Sequence, residues 1–147
     1  MSSNEAAPYH ERLTRFFEEE ILFNRFLGLK VDHLEEGFAR LRLPYRQEFL
    51  GDPFRPSLHG GVLSSLIDVA GGLAVLSRLH PGEMCHTIDM RVDYLRPGRP
   101  VDMVAHARVV RLGNRTGFAH VRVEQEDSLI AEGRTVYNLR RRRQAET

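Results

Sequence analysis

The chain has 147 residues, the size of a single domain with one hydrophobic core. Its 21 basic and 20 acidic side chains nearly cancel, so no strong electrostatic field selects nucleic acid or an anionic membrane as a partner. The single cysteine excludes an internal disulfide, and residues 1–10 lack the apolar segment of a signal peptide, so we expect a cytoplasmic protein.

The first third of the sequence predicts a helix and a hairpin. Residues 1–8 are polar and are expected to form a flexible tail, whereas apolar side chains recur every three or four residues from 9 to 26. This period predicts an amphipathic helix that packs on a sheet edge or over a pocket mouth. Residues 27–33 and 38–43, separated by a turn that ends at Gly37, are typical of a hairpin.

The centre of the chain combines an irregular segment with a long apolar helix. Residues 44–58 contain three prolines and predict a long loop, a kind of segment that is often functional. From 60 to 77 the only ionisable side chain is Asp68 and there is no proline, which predicts a helix buried on most of its circumference. A membrane span needs about 20 apolar residues. This run contains four glycines and three serines and has no aromatic belt, so a buried helix of a globular domain is favoured.

Four strands are predicted after this helix. In residues 87–95 apolar side chains alternate with charged ones, which predicts a half-buried strand. Its apolar face comprises Ile88, Met90, Val92 and Tyr94. The phase of this alternation places Thr87 on the opposite, polar face. Residues 101–111, 118–126 and 129–139 follow, and the short turns between them favour an antiparallel meander.

Together these elements predict an α+β fold, in which an antiparallel sheet of five to six strands wraps around one long central helix and an extra N-terminal helix precedes it. We expect a single domain over residues 1–147, with 1–8 and 140–147 as flexible tails. Four arginines at 140–143 form either a solvated surface or a phosphate-binding group. No cysteine–histidine cluster has the spacing of a zinc site, so we expect no metal.

Asp68 is the first candidate for a functional residue, because a lone carboxylate in a buried helix is costly unless something uses or satisfies it. Helical spacing places Ser64, Ser65, Gly71 and Gly72 beside it. Two interpretations of these small residues remain open. They allow a neighbouring element to approach closely and bond the carboxylate, or they leave a pocket in which Asp68 faces a ligand.

The start of the same helix supplies a second candidate group. Gly60 and Gly61 leave backbone amides unobstructed in the first turn, where a helix carries a partial positive charge. Such amides can stabilise negative charge that develops on a carbonyl oxygen. Eight residues separate Gly60 from Asp68, or about 12 Å along one helix, so one carbonyl group cannot touch both. A joint site therefore requires two antiparallel copies of the helix, and hence at least a dimer.

The motif His59-Gly60-Gly61, followed by Asp68 nine positions after the histidine, resembles the signature of the phenylacetyl-CoA thioesterase-like (PaaI-like) branch of hot-dog-fold acyl-CoA thioesterases. The flanking segments FLGDP at 49–53 and TIDMRVDYLRPG at 87–98 agree with it, and the likeness covers residues 27–139. The resemblance implies the hot-dog fold, whose sheet wraps around one long helix.

The resemblance also implies catalytic roles. Asp68 would act as general base on water or as nucleophile. The Gly60 amide would polarise the thioester carbonyl, and His59 would help to orient that region. Thr87 falls where the family often has a serine or threonine that positions water.

Four further residues are expected to contact the substrate. Three are the small helix residues Gly61, Ser64 and Ser65. The fourth is Asp52, which stands where many relatives have asparagine. Asparagine can donate a hydrogen bond and an ionised aspartate cannot, so this position departs from the family pattern.

We therefore expect a hydrolase that cleaves acyl-CoA to a free acid and CoA, with coenzyme A as part of the substrate and no other cofactor. A homodimer or a dimer-of-dimers tetramer is expected, without nucleic acid or membrane partners. Three alternatives stay open at this point. They are a hot-dog acyl-CoA hydratase, a non-catalytic acyl-CoA binding or sensing module, and a structural dimer.

Overall fold

A computed structural model describes residues 3–142, which form a six-stranded antiparallel sheet curved around one long helix. The helices are α1 (Ser3–Arg15), α2 (Leu22–Leu27) and α3 (Gly60–Leu76), with a π-helical turn at Phe16–Glu20 and a 3₁₀ turn at Gln47–Phe49. The strands are β1 (Lys30–Glu35), β2 (Phe38–Leu43), β3 (Leu50–Asp52), β4 (Ser57–Leu58), β5 (Met84–Tyr94), β6 (Met103–Leu112), β7 (Thr116–Gln125) and β8 (Ser128–Arg140). The large sheet has the order β1-β2-β6-β7-β8-β5, and β3 pairs with β4 separately. The predicted α+β class and hot-dog fold are confirmed.

The strand order corrects one part of the prediction. Strands β6, β7 and β8 form the expected meander, but β5 does not lie beside β6. Instead it occupies the far edge and pairs antiparallel with β8. The connection 95–102 contains Pro97 and Pro100, which cannot continue a ladder, so it does not form the tight turn of a hairpin. Along this connection the chain passes from the β5 edge of the sheet to β6, which lies between β2 and β7.

Helix α3 lies against the concave face of the sheet and forms the centre of the core. Its residues Leu66, Ile67, Ala70 and Leu73 are completely buried. Sheet residues that alternate along β7, such as Val121, are buried against it. The predicted buried helix is confirmed. Within residues 3–142 no helix has the length and apolar character needed to cross a bilayer.

Glycines bring the backbone of α3 unusually close to β8. A Cβ atom added to Gly71 would lie 2.5 Å from both the Thr135 Oγ1 and the Tyr137 hydroxyl. A Cβ on Gly133 would lie 2.6 Å from the Ile67 Cγ2. These distances are far shorter than van der Waals contact, so larger side chains cannot be accommodated without a shift. Close packing is therefore the correct interpretation of Gly71.

The N-terminal segment is not one continuous helix as predicted. The Ile21 amide donates to the Phe16 carbonyl at 3.1 Å, which is the i to i+5 bond of a π turn, and Ile21 itself is extended. The Glu18 carboxylate accepts the Val31 amide at 2.7 Å and thereby attaches this turn to β1. Because α1 begins at Ser3, it also covers part of the expected tail. The rest of that segment lies outside the described residues.

The C-terminal arginines are partly structural. Strand β8 continues to Arg140, and Arg141 donates to the Glu83 carboxylate at 3.0 Å and to the Gly113 carbonyl at 3.1 Å. Glu83 is only 7% exposed, so Arg141 neutralises a buried charge. The Arg141 guanidinium is therefore not free for a phosphate group. The remainder of the expected tail, including Arg143, lies outside the described residues.

We expect Gly71→Ala to lower the free energy of unfolding by about 1–3 kcal/mol, because the new methyl group overpacks the contact with β8. Gly72→Ala is the matched control, since its Cβ would lie 3.4 Å from the nearest atom, at ordinary contact distance. Urea denaturation of both variants measures the difference. Equal stability of the two variants would contradict the close helix–sheet contact.

Candidate active site

The first turn of α3 presents one unpaired amide. The His59 Nδ1 accepts the Gly61 amide at 2.8 Å, and the His59 carbonyl accepts the Val62 amide at 3.0 Å. The Gly60 amide, by contrast, makes no hydrogen bond to any residue in the range 3–142. Since the His59 ring acts as the helix cap, its orientation is fixed, and its proton must lie on Nε2 for Nδ1 to accept.

Tyr94 is a neighbour of Gly60 to which the sequence analysis assigned no role. Its hydroxyl donates to the Gly60 carbonyl at 3.2 Å and contacts the Ser64 hydroxyl. A Cβ at Gly60 would lie 3.2 Å from the Tyr94 ring. The sequence offered one signal for Tyr94. Its hydroxyl lies on an otherwise apolar strand face, where a phenol needs a hydrogen-bond partner.

The two serines of the predicted site are bonded to their own helix. Ser64 donates to the Gly60 carbonyl at 3.1 Å, and Ser65 donates to the Gly61 carbonyl at 2.8 Å. This i to i−4 pattern is common for hydroxyls within helices. Their expected contact with substrate stays a prediction.

Asp52 shapes the loop before the helix. Its Oδ1 accepts the amides of Phe54 at 2.9 Å and Arg55 at 3.1 Å, which is an Asx-turn. The neighbouring Gly51 packs against His59, since a Cβ there would lie 2.9 Å from the His59 Cα. Asp52 therefore supports the segment that carries His59. An asparagine oxygen could accept the same two bonds, and the expected substrate contact of Asp52 stays a prediction.

The Asp68 carboxylate is half-buried and has one side-chain partner in the described part of the chain. Thr87 of β5 donates its hydroxyl to the Asp68 Oδ1 at 2.7 Å. The Tyr137 hydroxyl donates to the backbone carbonyl of Asp68 at 2.6 Å, which fixes this point of the helix against the sheet. The structure thus brings the predicted Asp68 and Thr87 together.

A β-bulge explains why Thr87 reaches Asp68. The sequence alternation placed Thr87 on the polar face, and this expectation was wrong. In the ladder with β8, Thr87 pairs with Tyr137 and Asp89 pairs with Val136, so Ile88 is an extra residue. The insertion reverses the phase of the strand, and Ile88 is 59% exposed instead of buried.

Asp68 and Thr87 line a cavity of about 410 Å³ whose other walls are mainly apolar. These walls come from the N-terminal segment between Phe16 and Asn24, from α3 and from the sheet. They comprise Phe16, Phe17, Ile21, Phe23, Asn24, Val69, Gly72, Leu76, Met84, Cys85 and Tyr137. The N-terminal segment therefore covers a pocket, which is one of the two positions expected for it. Phe23 and Met84 line the cavity and are also exposed, so they mark its mouth.

Gly60 lines a different cavity within the same chain. That cavity, of about 380 Å³, is bounded by Leu63 and Tyr94 and does not include Asp68. A larger depression of about 620 Å³ lies around Val110 and Phe118. Its lining comes from the outer side of β6, β7 and β8, away from α3, so it lacks both candidate groups. In a single chain the two halves of the predicted site are therefore separate.

The comparisons with known proteins decide the family. The model of the thioesterase superfamily matches residues 56–132, which include all four predicted catalytic residues. The medium/long-chain acyl-CoA thioesterase YigI of Salmonella typhimurium is 38% identical over 129 residues, covering 78% of this chain and 83% of that protein. YigI of Escherichia coli K12 is 36% identical over the same shares. The chain belongs to the thioesterase superfamily.

Solved structures agree with this membership. A Shewanella oneidensis protein related to the thioesterase superfamily has a TM-score of 0.83 and 30% identity, covering 93% of this chain and 99% of that one. The E. coli PaaI protein from the phenylacetic acid degradation operon has a TM-score of 0.78 and 26% identity, covering 88% and 91%. The resemblance to PaaI is confirmed, and as a superfamily member the protein is a thioester hydrolase.

Cys85 lines the cavity of this thioesterase beside Asp68. Burial, together with the negative charge of Asp68, raises the pKa of the Cys85 thiol to about 12. Its Sγ lies 3.7 Å from the Gly72 carbonyl. The thiol is therefore protonated at neutral pH and is not a nucleophile, since reactivity requires the thiolate.

We expect iodoacetamide to label the folded thioesterase at pH 8 at least about 100-fold more slowly than the urea-unfolded chain, because only about one thiol in 10⁴ is ionised when the pKa is near 12. Cys85 is the only cysteine, so mass spectrometry of the intact protein reports this site alone. The unfolded chain is the internal control. Labelling of the folded protein at the unfolded rate would contradict a partly buried, protonated thiol.

Proposed function

We propose that the protein hydrolyses acyl-CoA thioesters to a free acid and CoA, in a site shared by two subunits. The observation that carries the proposal is Asp68, the lone ionisable residue of α3, which faces an apolar cavity and accepts the Thr87 hydroxyl. The YigI relatives are named as medium/long-chain acyl-CoA thioesterases, and an apolar cavity suits such an acyl chain. The proposal requires no metal and no organic cofactor.

The Gly60 amide would bind the thioester carbonyl oxygen. It has no acceptor among residues 3–142 and lies at the positive end of the α3 dipole. When water attacks the carbonyl carbon, negative charge develops on this oxygen, and a preorganised amide stabilises it. His59 holds the neighbouring Gly61 amide and thereby fixes the geometry of the turn.

Asp68 would accept the proton of the attacking water. Thr87 occupies its Oδ1 at 2.7 Å, which orients the carboxylate and leaves the second oxygen for water, so Thr87 is a positioning residue. The water oxygen bonds to the carbonyl carbon, the C–S bond breaks, and the proton passes to the departing CoA thiolate. Direct attack by Asp68 would instead form an acyl-enzyme anhydride, which a trapping experiment distinguishes.

A second copy of the chain would complete the site. Gly60 and Asp68 lie about 12 Å apart along one helix, so an antiparallel partner helix must supply the missing half. Strand β5 is the natural place for this contact, because it is an edge strand of the sheet and carries Thr87. The exposed Val110 and Phe118 on the outer face offer a second contact for a dimer of dimers. A cytoplasmic location stays a prediction.

We expect Asp68→Ala to lower kcat for acyl-CoA hydrolysis by at least about 100-fold, since it removes the general base. A thiol-release assay over short, long and aromatic acyl-CoAs measures this loss. Asp32→Ala is the control, because that aspartate lies on β1 at the opposite sheet edge and pairs only with the surface residue Arg42 in the described chain. A variant that keeps most of its kcat would refute the role of Asp68. Acyl-CoA binding by the wild-type protein without thiol release would favour a binding module.

The shared site predicts complementation between inactive subunits. Gly60→Pro removes the amide at a helix position that tolerates proline, and the extended backbone of His59 is compatible with a following proline. Gly60→Ala is its control, because it keeps the amide. Heterodimers of Gly60→Pro with Asp68→Ala subunits, isolated with two affinity tags, should regain about half of the wild-type activity, since one of two sites is intact.

A reciprocal heterodimer gives the opposite outcome. When one subunit carries both Gly60→Pro and Asp68→Ala and its partner is wild type, each shared site lacks one group. We then expect no activity, whereas a site within a single chain would give about half of it. Recovery of about half of the wild-type activity in this heterodimer would overturn the two-subunit proposal.

A further inference from the structure

We propose that Asn24 donates a hydrogen bond to an oxygen atom on the acyl group, so that the enzyme prefers acyl-CoAs with an oxygenated chain to plain hydrocarbon chains of equal length. This inference rests on the proposed function, because it assigns the acyl group to the cavity beside Asp68. It identifies Asn24 as a specificity-determining residue.

The first observation is an unpaired buried donor. Asn24 is only 2% exposed, yet its Nδ2 has no hydrogen-bond partner within residues 3–142. A buried donor without an acceptor costs free energy that an apolar side chain of similar size would not cost. Asn24 also lines the cavity that contains Asp68, so a ligand there can supply the missing acceptor.

The second observation is that the other neutral polar groups of this cavity already have protein partners. The Thr87 hydroxyl donates to Asp68, and the Tyr137 hydroxyl donates to the Asp68 carbonyl. The Cys85 thiol faces the Gly72 carbonyl. The amide nitrogen of Asn24 is thus the donor that the described lining leaves for a ligand.

The third observation is that the backbone of Asn24 is held rigidly. Its carbonyl accepts the Gly28 amide at 3.0 Å and the Leu29 amide at 3.4 Å. Gly28 has a φ of 76°, the left-handed conformation that terminates α2. The side chain therefore starts from a fixed helix end, and a preorganised donor discriminates better than a mobile one.

The surroundings favour an acyl oxygen over a trapped water. A buried water needs two to four polar partners. Besides Asn24, the N-terminal segment contributes Phe16, Phe17, Ile21 and Phe23 to the cavity wall, and their side chains offer no polar partner. A hydrocarbon chain would leave the donor unpaired, whereas a hydroxyl or keto oxygen on the chain would accept from it. Sites built around such a bond reject the analogue that lacks the oxygen.

The test compares octanoyl-CoA with its 3-hydroxy, 3-oxo and terminally hydroxylated derivatives by thiol release. We expect the wild-type kcat/KM to be about ten-fold or more higher for at least one oxygenated derivative than for octanoyl-CoA. Asn24→Leu, which is similar in size and apolar, should remove that preference and raise kcat/KM for octanoyl-CoA. Asn24→Asp replaces the donor by an acceptor, so it should retain hydroxylated substrates and lose the oxo substrate.

The outcomes separate this inference from the proposed function. If the wild-type enzyme hydrolyses octanoyl-CoA as well as or better than every oxygenated derivative, the role of Asn24 is overturned. No variant is needed for this result. A folded Asn24→Leu protein that loses activity equally on every substrate would also overturn it, since a water-holding or structural role predicts that result. No thiol release from these four substrates or from the short, long and aromatic acyl-CoAs would instead refute the proposed hydrolysis.

Discussion

The contact between α3 and β8 determines the geometry of this molecule. Gly71 and Gly133 carry no side chain into the interface. The β8 side chains Thr135 and Tyr137 therefore reach the helix at Gly71, and the Ile67 side chain reaches the strand at Gly133. Tyr137 then bonds the backbone carbonyl of Asp68 at 2.6 Å. The position of the carboxylate is therefore set by rigid elements, not by a loop. Moving the helix outward by the width of one methyl group would change the distance from Asp68 to the side chains of β5, including Thr87.

The first turn and the middle of α3 have different environments. Within residues 3–142 the N-terminal end leaves the Gly60 amide without an acceptor, and the capping ring of His59 and the phenol of Tyr94 lie beside it. Two turns later the helix carries its one charge, beneath the aromatic residues of the N-terminal segment. The first environment suits a developing oxyanion, and the second suits a base beside an apolar chain. In the proposed mechanism, one helix thus supplies both half-sites.

Much of this arrangement could be predicted from sequence, because it follows from patterns that a single element carries. The apolar run with one aspartate predicts a buried helix, and the glycines after His59 predict its open first turn. The bulge at Ile88 could not be predicted, since a strand that changes phase within one residue leaves the alternation of its later part intact. The π turn was missed because the apolar side chains around it keep the three- and four-residue spacing of a continuous helix. The unpaired amide of Asn24 depends on neighbours distant in sequence, so no local pattern reveals it.

The bulge in β5 also bears on solubility. A long, regular strand at the margin of a sheet is a template on which further chains can add without limit, as in fibrils. The extra residue at Ile88 bends and twists this margin locally, so a flat strand of arbitrary sequence does not match it along its whole length. The irregularity that turns Thr87 inward thus also limits open-ended strand addition at this edge.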